Sequence, residues 1–180
     1  MYKSWMAAAL VAVVAAPSTA QTAEDFAAKV INAPMPGSLQ VYGIPKPPLT
    51  RTKDVDGGKM LRIAIPGADK QPWNIQLQSP TNAPVAKGDR LVLAFHVRAT
   101  GMPAGTKAKI ASAGVQLNKE PYTTILGGPI EVGEAFEFQQ VTGRADRDYA
   151  AGELMASLQL ATGKQTFEFG PLFIINLDKK

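Results

Sequence analysis

From residue 60 onward apolar and polar side chains alternate with a period of two, the spacing that sends one row of a strand into a core and the next into water. Residues 87–100 show it best: Leu91, Leu93, Phe95 and Val97 fall on one side, and Val92, Ala94, His96 and Arg98 on the other. Residues 60–65 repeat the division with Leu61, Ile63 and Ile65 on one face. Over 73–78, Trp73, Ile75 and Leu77 oppose Asn74, Gln76 and Gln78, which groups Trp73 with the core residues. Over 109–118, Ala111, Ala113, Val115 and Leu117 oppose Ile110, Ser112, Gly114, Gln116 and Asn118. A short strand follows at 123–126, and Phe136 and Phe138 then mark one with Glu137 and Gln139 as its outer row. Over 153–161, Leu154, Ala156, Leu158 and Leu160 face in while Met155, Ser157 and Gln159 face out. Residues 165–169 place Phe167 with Phe169, and 172–177 is mostly apolar on both sides, as a central strand is. Turn-forming residues separate these runs, among them Asp54-Val55-Asp56-Gly57-Gly58, Pro66-Gly67, Gly127-Gly128-Pro129 and Thr162-Gly163-Lys164. About eight short strands between such turns predict an all-β sandwich.

The first 50 residues read differently. Lys3 precedes an apolar run over 6–16, and Pro17-Ser18-Thr19-Ala20 ends in the small residues that a signal peptidase cuts after. The run holds about 11 apolar residues, whereas a membrane span needs roughly 20. Thr22 with Asp25, and Phe26, Val30 and Ile31 on one face, predict a short helix over 22–31. Pro34, Pro36, Pro45, Pro47 and Pro48 then make 32–50 an extended arm, since each proline removes a backbone donor. The expected organisation is a signal peptide over 1–20, a helix and Pro-rich arm over 21–50, and a β-sandwich over 51–180.

Composition narrows the chemistry. The absence of cysteine excludes a disulfide scaffold and a thiol nucleophile. The net charge of +4 is scattered, with no run of five like charges, so nucleic acid is not an expected partner. His96 is the only histidine, which excludes a multi-histidine metal site, and no Gly-x-Ser-x-Gly segment supplies a serine nucleophile. The carboxylate pairs Glu131 with Glu134 and Asp146 with Asp148 sit in turns, where solvation accounts for them. No enzyme is expected.

What remains is a wet sheet face. If their strands share a sheet, Asn74, Gln76 and Gln78, His96 and Arg98, Gln116 and Asn118, and Gln159 form a polar surface. Amides suit sugar hydroxyls because each offers donors and an acceptor without the desolvation cost of a charge. The exposed face of any antiparallel sheet is also polar, so the same rows have an ordinary reading. Trp73 is either core or a stacking platform, and Tyr122, after Pro121 in a loop, reads as exposed. Tyr149 suits closing a loop through its hydroxyl. Arg98 suits either a fork onto vicinal hydroxyls or a uronate, or an ion pair with Glu120, Glu137 or another carboxylate across the sheet.

The order of segments resembles a known family. Asp56-Gly57-Gly58, Pro72-Trp73-Asn74-Ile75-Gln76-Leu77, Lys87-Gly88-Asp89, Phe95-His96-Val97-Arg98-Ala99, Pro121-Tyr122, Asp148-Tyr149-Ala150-Ala151-Gly152-Glu153 and Gln165-Thr166-Phe167-Glu168-Phe169-Gly170-Pro171 carry the resemblance, through to Asn176-Leu177. Together they resemble the jelly-roll carbohydrate-binding modules of the galactose-binding-like superfamily, closest to modules beside bacterial xylanase-type glycoside hydrolases. The resemblance implies a jelly-roll β-sandwich that binds a polysaccharide or oligosaccharide without catalysis. The site residues it suggests are Arg98, Gln116, Gln76 and Tyr122 first, then His96, Asn118, Asn74 and Trp73. It also implies a structural calcium ion as the one candidate bound group, with oxygen ligands from Asp54, Asp56 or Asp178. The expected protein is an exported monomer of the periplasm or medium, without a membrane span. The alternatives are a periplasmic structural or interaction protein with an envelope partner, and an accessory subunit of a glycoside hydrolase.

Overall fold

A computed structural model describes residues 23–179, and the signal peptide expected over 1–20 lies outside the described residues. After a short helix α1 (Ala23–Lys29) come ten strands: β1 (Gln40–Tyr42), β2 (Leu49–Arg51), β3 (Lys59–Ile65), β4 (Gln76–Pro80), β5 (Arg90–Thr100), β6 (Ala108–Leu117), β7 (Thr124–Val132), β8 (Glu137–Arg144), β9 (Leu154–Gln159) and β10 (Gln165–Asn176). They form two antiparallel five-stranded sheets, β1-β4-β9-β6-β7 and β2-β3-β10-β5-β8. The alternating apolar rows meet between them. Leu61, Ile63, Leu91, Leu93, Phe95 and Val97 from the second sheet and Leu77, Val115, Ala156 and Leu158 from the first are fully buried. Phe95, Phe167 and Phe169 pack ring against ring, with centroids 6.4 and 5.9 Å apart. No helix among the described residues is long and apolar enough to cross a membrane.

The arm is built into both sheets. It contributes β1 to the edge of the first and β2 to the edge of the second, where proline-rich sequence is tolerated. Asn32, buried at the start of the arm, ties the two sheets together. Its Nδ2 donates to Ser79 Oγ of β4 at 2.9 Å and to the Leu172 carbonyl of β10 at 2.9 Å, while Oδ1 accepts from the Ile174 N–H at 2.7 Å.

Several strands depart from the expected pattern, each for a local reason. Residues 165–176 form one strand rather than two, because the register slips between Phe169 and Leu172 without breaking the pairing with β5. β7 runs through Gly127-Gly128-Pro129, which the sequence marks as a break; at the free edge of a sheet a proline loses no ladder bond. In β6 the register shifts between Ile110 and Ala113, so Ile110 faces the core instead of solvent. β8 is turned over relative to expectation: Phe138 pairs with His96 on the outer face and is 53% exposed, while Gln139 pairs with the buried Phe95.

Arg98 and His96 lie on the outer face of the second sheet. Glu168 is 3% exposed there and accepts a hydrogen bond from Arg98 Nε, and Arg62 Nε lies 3.4 Å from its other oxygen. The Arg98 guanidinium also approaches Asp54 at 3.6 Å and sits 4.5 Å from the centre of the Phe136 ring. Arg98 therefore makes the ion pair across the sheet that one of its two readings expected, the carboxylate being Glu168, with Asp54 further off, and neither Glu120 nor Glu137. Val55, on the turn before β3, packs over Gly170 on this face. Tyr149 closes its loop as its sequence setting suggests. Its hydroxyl donates to Asp146, and burial together with that carboxylate pushes its pKa up to about 12.

Two stability effects follow from these contacts. Asn32→Ala leaves a buried carbonyl and a buried N–H unpaired and should lower unfolding stability by about 2–4 kcal/mol in urea titration. Arg98→Met withdraws the shorter of the two pairings from a buried carboxylate and should lower it by about 3 kcal/mol.

Candidate functional site

The outer face of the first sheet is built by register. Tyr42 pairs with Gln76 and Gln76 with Gln159, so these three form one row across β1, β4 and β9. Gln78, Ser157, Gly114 and Gly127 form the next row, and Pro80, Met155, Gln116 and Thr124 the third. The residues between them on each strand, Leu77, Ala156, Leu158 and Val115, point to the core. The outer rows are therefore amide, hydroxyl and glycine over most of their length.

Aromatic side chains stand at the ends. Trp73 sits on a one-turn 3-10 segment, Pro72–Asn74, that precedes β4 and breaks the strand alternation. The indole is 47% exposed and lines the groove instead of joining Ile75 and Leu77 in the core. Gly43 makes this placement possible. Its φ is +87°, and a Cβ there would lie 1.7 Å from the Asn74 carbonyl oxygen, so only glycine lets the chain leaving Tyr42 press against the Trp73 turn. At the opposite end, Tyr122 is held in the loop after β6 with a left-handed backbone, φ 56°, and its N–H bonded to the Lys119 carbonyl at 2.8 Å. It is half exposed. A non-glycine residue in that region carries a cost of about 1 kcal/mol or more, and such positions concentrate at ligand sites.

Between these aromatics lies a groove of about 620 Å³. None of the residues lining it carries a charge. Its amides divide into two kinds. Gln76 is committed: its Oε1 accepts from Ser157 Oγ at 2.6 Å and from Gln78 Nε2 at 3.3 Å, and its Nε2 donates to the Trp73 carbonyl at 2.8 Å. Gln116 and Gln159 line the groove with side chains that make no hydrogen bond to another described residue. Asn118 donates to the Gly152 carbonyl at 3.1 Å and keeps its oxygen for the groove.

The structure thus brings together Gln76, Gln78, Gln116, Asn118, Gln159, Tyr122 and Trp73 from among the residues named for the site and its polar face, and separates Asn74, His96 and Arg98 from them. Asn74 turns away to donate to Asp69 Oδ1 at 2.9 Å. His96 and Arg98 belong to the second sheet, so the premise that their strand shares a face with β4 and β6 does not hold. His96 packs its ring against Phe138 in a tilted arrangement, centroids 4.9 Å apart, with its Nδ1 enclosed and unpaired among the described residues. Tyr42, Thr124 and Met155 join the groove without having been singled out. For Tyr42 the available signal was the local alternation Gln40-Val41-Tyr42 inside a stretch dominated by proline.

Two of the three aspartates considered for calcium are engaged with arginines. Asp178 is clamped by Arg90, whose side-chain and backbone hydrogen bonds hold its carboxyl well below the usual range, and Asp54 faces Arg98. Among the described residues no three acidic or histidine side chains converge.

Comparison with solved structures places the fold. A CBM4 structure superposes with a TM-score of 0.59 at 17% identity, covering 78% of this chain and 96% of the other. The N-terminal cellulose-binding domain of Cellulomonas fimi β-1,4-glucanase C gives a TM-score of 0.55 at 17% identity, covering 78% and 90%. The CBM22-1–GH10 modules of Clostridium thermocellum xylanase 10B, complexed with xylohexaose, give 0.52 at 13% identity, covering 82% of this chain and 28% of the other. No family model and no curated protein sequence matches the chain. The protein has the two-sheet antiparallel β-sandwich fold of CBM4 and CBM22 carbohydrate-binding modules.

The sheet that carries the groove contains a close glycine contact. A Cβ on Gly114 would lie 2.3 Å from the Leu126 carbonyl oxygen, so β6 and β7 approach there as bare backbone. Gly114→Ala should force the strands apart and lower stability by about 1–3 kcal/mol, read as a drop in the thermal midpoint.

Proposed function

We propose that the protein binds uncharged polysaccharide chains in this groove and does no chemistry on them. The observation that carries the reading is the lining itself: side-chain amides with unused donors and acceptors between Tyr42 and Trp73 at one end and Tyr122 at the other, without a charged group. Amides match the mixed donor and acceptor character of hydroxyls, and an aromatic face covers the apolar side of a pyranose ring. A charged ligand would find no counter-ion here. The lining also has no carboxylate, histidine, lysine or cysteine to act as acid, base or nucleophile, which supports binding over catalysis. The shared fold lends support, since relatives of that fold include a cellulose-binding domain and a module structure complexed with xylohexaose. The leader read in the sequence fits an exported protein that meets such chains in the periplasm or medium.

A second reading has one observation in its favour. Met35 and Leu49 stay 47% and 37% exposed on the arm, which suits an envelope protein partner or a separate hydrolase chain docking there.

Affinity electrophoresis against xylan, glucans, galactan and uronate-rich polysaccharides tests the proposal. We expect retardation by at least one neutral polymer, unaffected by a chelator, and none by the uronate polymers. Trp73→Ala or Gln116→Ala should weaken binding by about tenfold or more, whereas Arg98→Met should leave it unchanged. Folded protein that no neutral polymer retards would overturn the proposal and shift weight to the envelope partner.

A further inference from the structure

Gln76 and Gln78 are neighbours in the same outer face, yet their amides are placed for different tasks. Gln76 is 9% exposed and Ser157, beside it on β9, is 2% exposed. The Trp73 carbonyl can only accept, so it fixes which end of the Gln76 amide faces it: the nitrogen. The amide oxygen is thereby aimed at Ser157 Oγ and Gln78 Nε2, and both of its lone pairs are used. A flipped Gln76 would set oxygen against the Trp73 carbonyl and nitrogen against the N–H of Gln78. The Ala161 N–H to Pro72 carbonyl and Leu160 N–H to Ile75 carbonyl bonds tie the two flanks of the Trp73 turn to the residues that follow β9, and the Gln76 side chain adds the bond that joins the Trp73 carbonyl itself to the amide floor. Gln78, whose nitrogen points to Gln76, keeps its own oxygen and second N–H for the groove.

From this geometry we infer that Gln76 and Ser157 are positioning residues: they hold the Trp73 turn and orient Gln78, and the contacts to a ligand fall to Trp73, Gln78, Gln116 and Gln159. The binding part rests on the polysaccharide reading above; the positioning part is a property of the free protein and is tested without a ligand.

The chain has two tryptophans, Trp5 and Trp73, so the full chain carrying Trp5→Phe reports on Trp73 alone. In that background Gln76→Met, which keeps length and removes the amide, and Ser157→Ala should each shift Trp73 emission to the red and raise its quenching by acrylamide. Gln78→Ala should leave emission unchanged. Where Ser157→Ala does not fold, Gln76→Met carries the test. Unchanged emission and quenching in folded Gln76→Met overturns the positioning role. For binding, measured on the neutral polymer that retards the parent protein most, Gln76→Met and Gln78→Ala should each weaken affinity by about tenfold. Combined with Trp73→Ala, Gln76→Met should add much less than its single effect, because it acts in part through Trp73; full additivity overturns the coupling. If the parent binds none of the polymers while the emission shifts occur, the polysaccharide reading fails and the positioning role stands.

Discussion

The buried amide of Asn32 is the contact on which the sandwich most visibly depends. It makes three hydrogen bonds, one to β4 of the first sheet and two to β10 of the second, where the arm enters the fold. Apolar packing between sheets is strong but does not by itself fix how one sheet is placed against the other; a buried polar group with three directional partners does. From this junction the arm runs on to supply β1 at the edge of one sheet and β2 at the edge of the other. Tyr42 reaches the groove only because that edge strand is in place.

The two outer faces have been put to opposite uses. On the second sheet, Glu168 is buried between Arg62 and Arg98, and Arg98 also faces Asp54, so these four charges are spent on one another. On the first, the groove lining is uncharged, and Gln116 and Gln159 make no internal hydrogen bond to another described residue. Unpaired amides beside a groove remain solvated at little cost, whereas unpaired charges held in the same concavity would repel or attract indiscriminately. A neutral, amide-lined concavity between aromatics is a surface suited to ligands that are polar without being ionic.

Local periodicity made most of the strands legible. The inward rows of β3, β5 and β9 were readable because a period of two over five or more residues leaves one face for the core. Where a bulge intervened, as at Ile110 and Ala113, or where a strand lay at an edge with both rows half wet, as in β8, the period no longer reported which way a side chain points. Trp73 was misgrouped for a related reason: a single 3-10 turn before β4 displaces it from the alternation that Ile75 and Leu77 obey. Its exposure follows from backbone geometry that a two-residue period cannot represent.

The amino-acid order alone settles the two-layer all-β architecture, the uncharged amide content of β4, β6 and β9, and the absence of a thiol nucleophile or a multi-histidine metal site, because these are local or compositional properties. Which strands share a sheet is a matter of long-range pairing, and no local pattern reports it. That pairing removes His96 and Arg98 from the groove, gives Arg98 to Glu168, and brings Tyr42 in from the arm some thirty residues before Trp73. The amides could be recognised one strand at a time; their convergence on one concave face is a product of register across five strands.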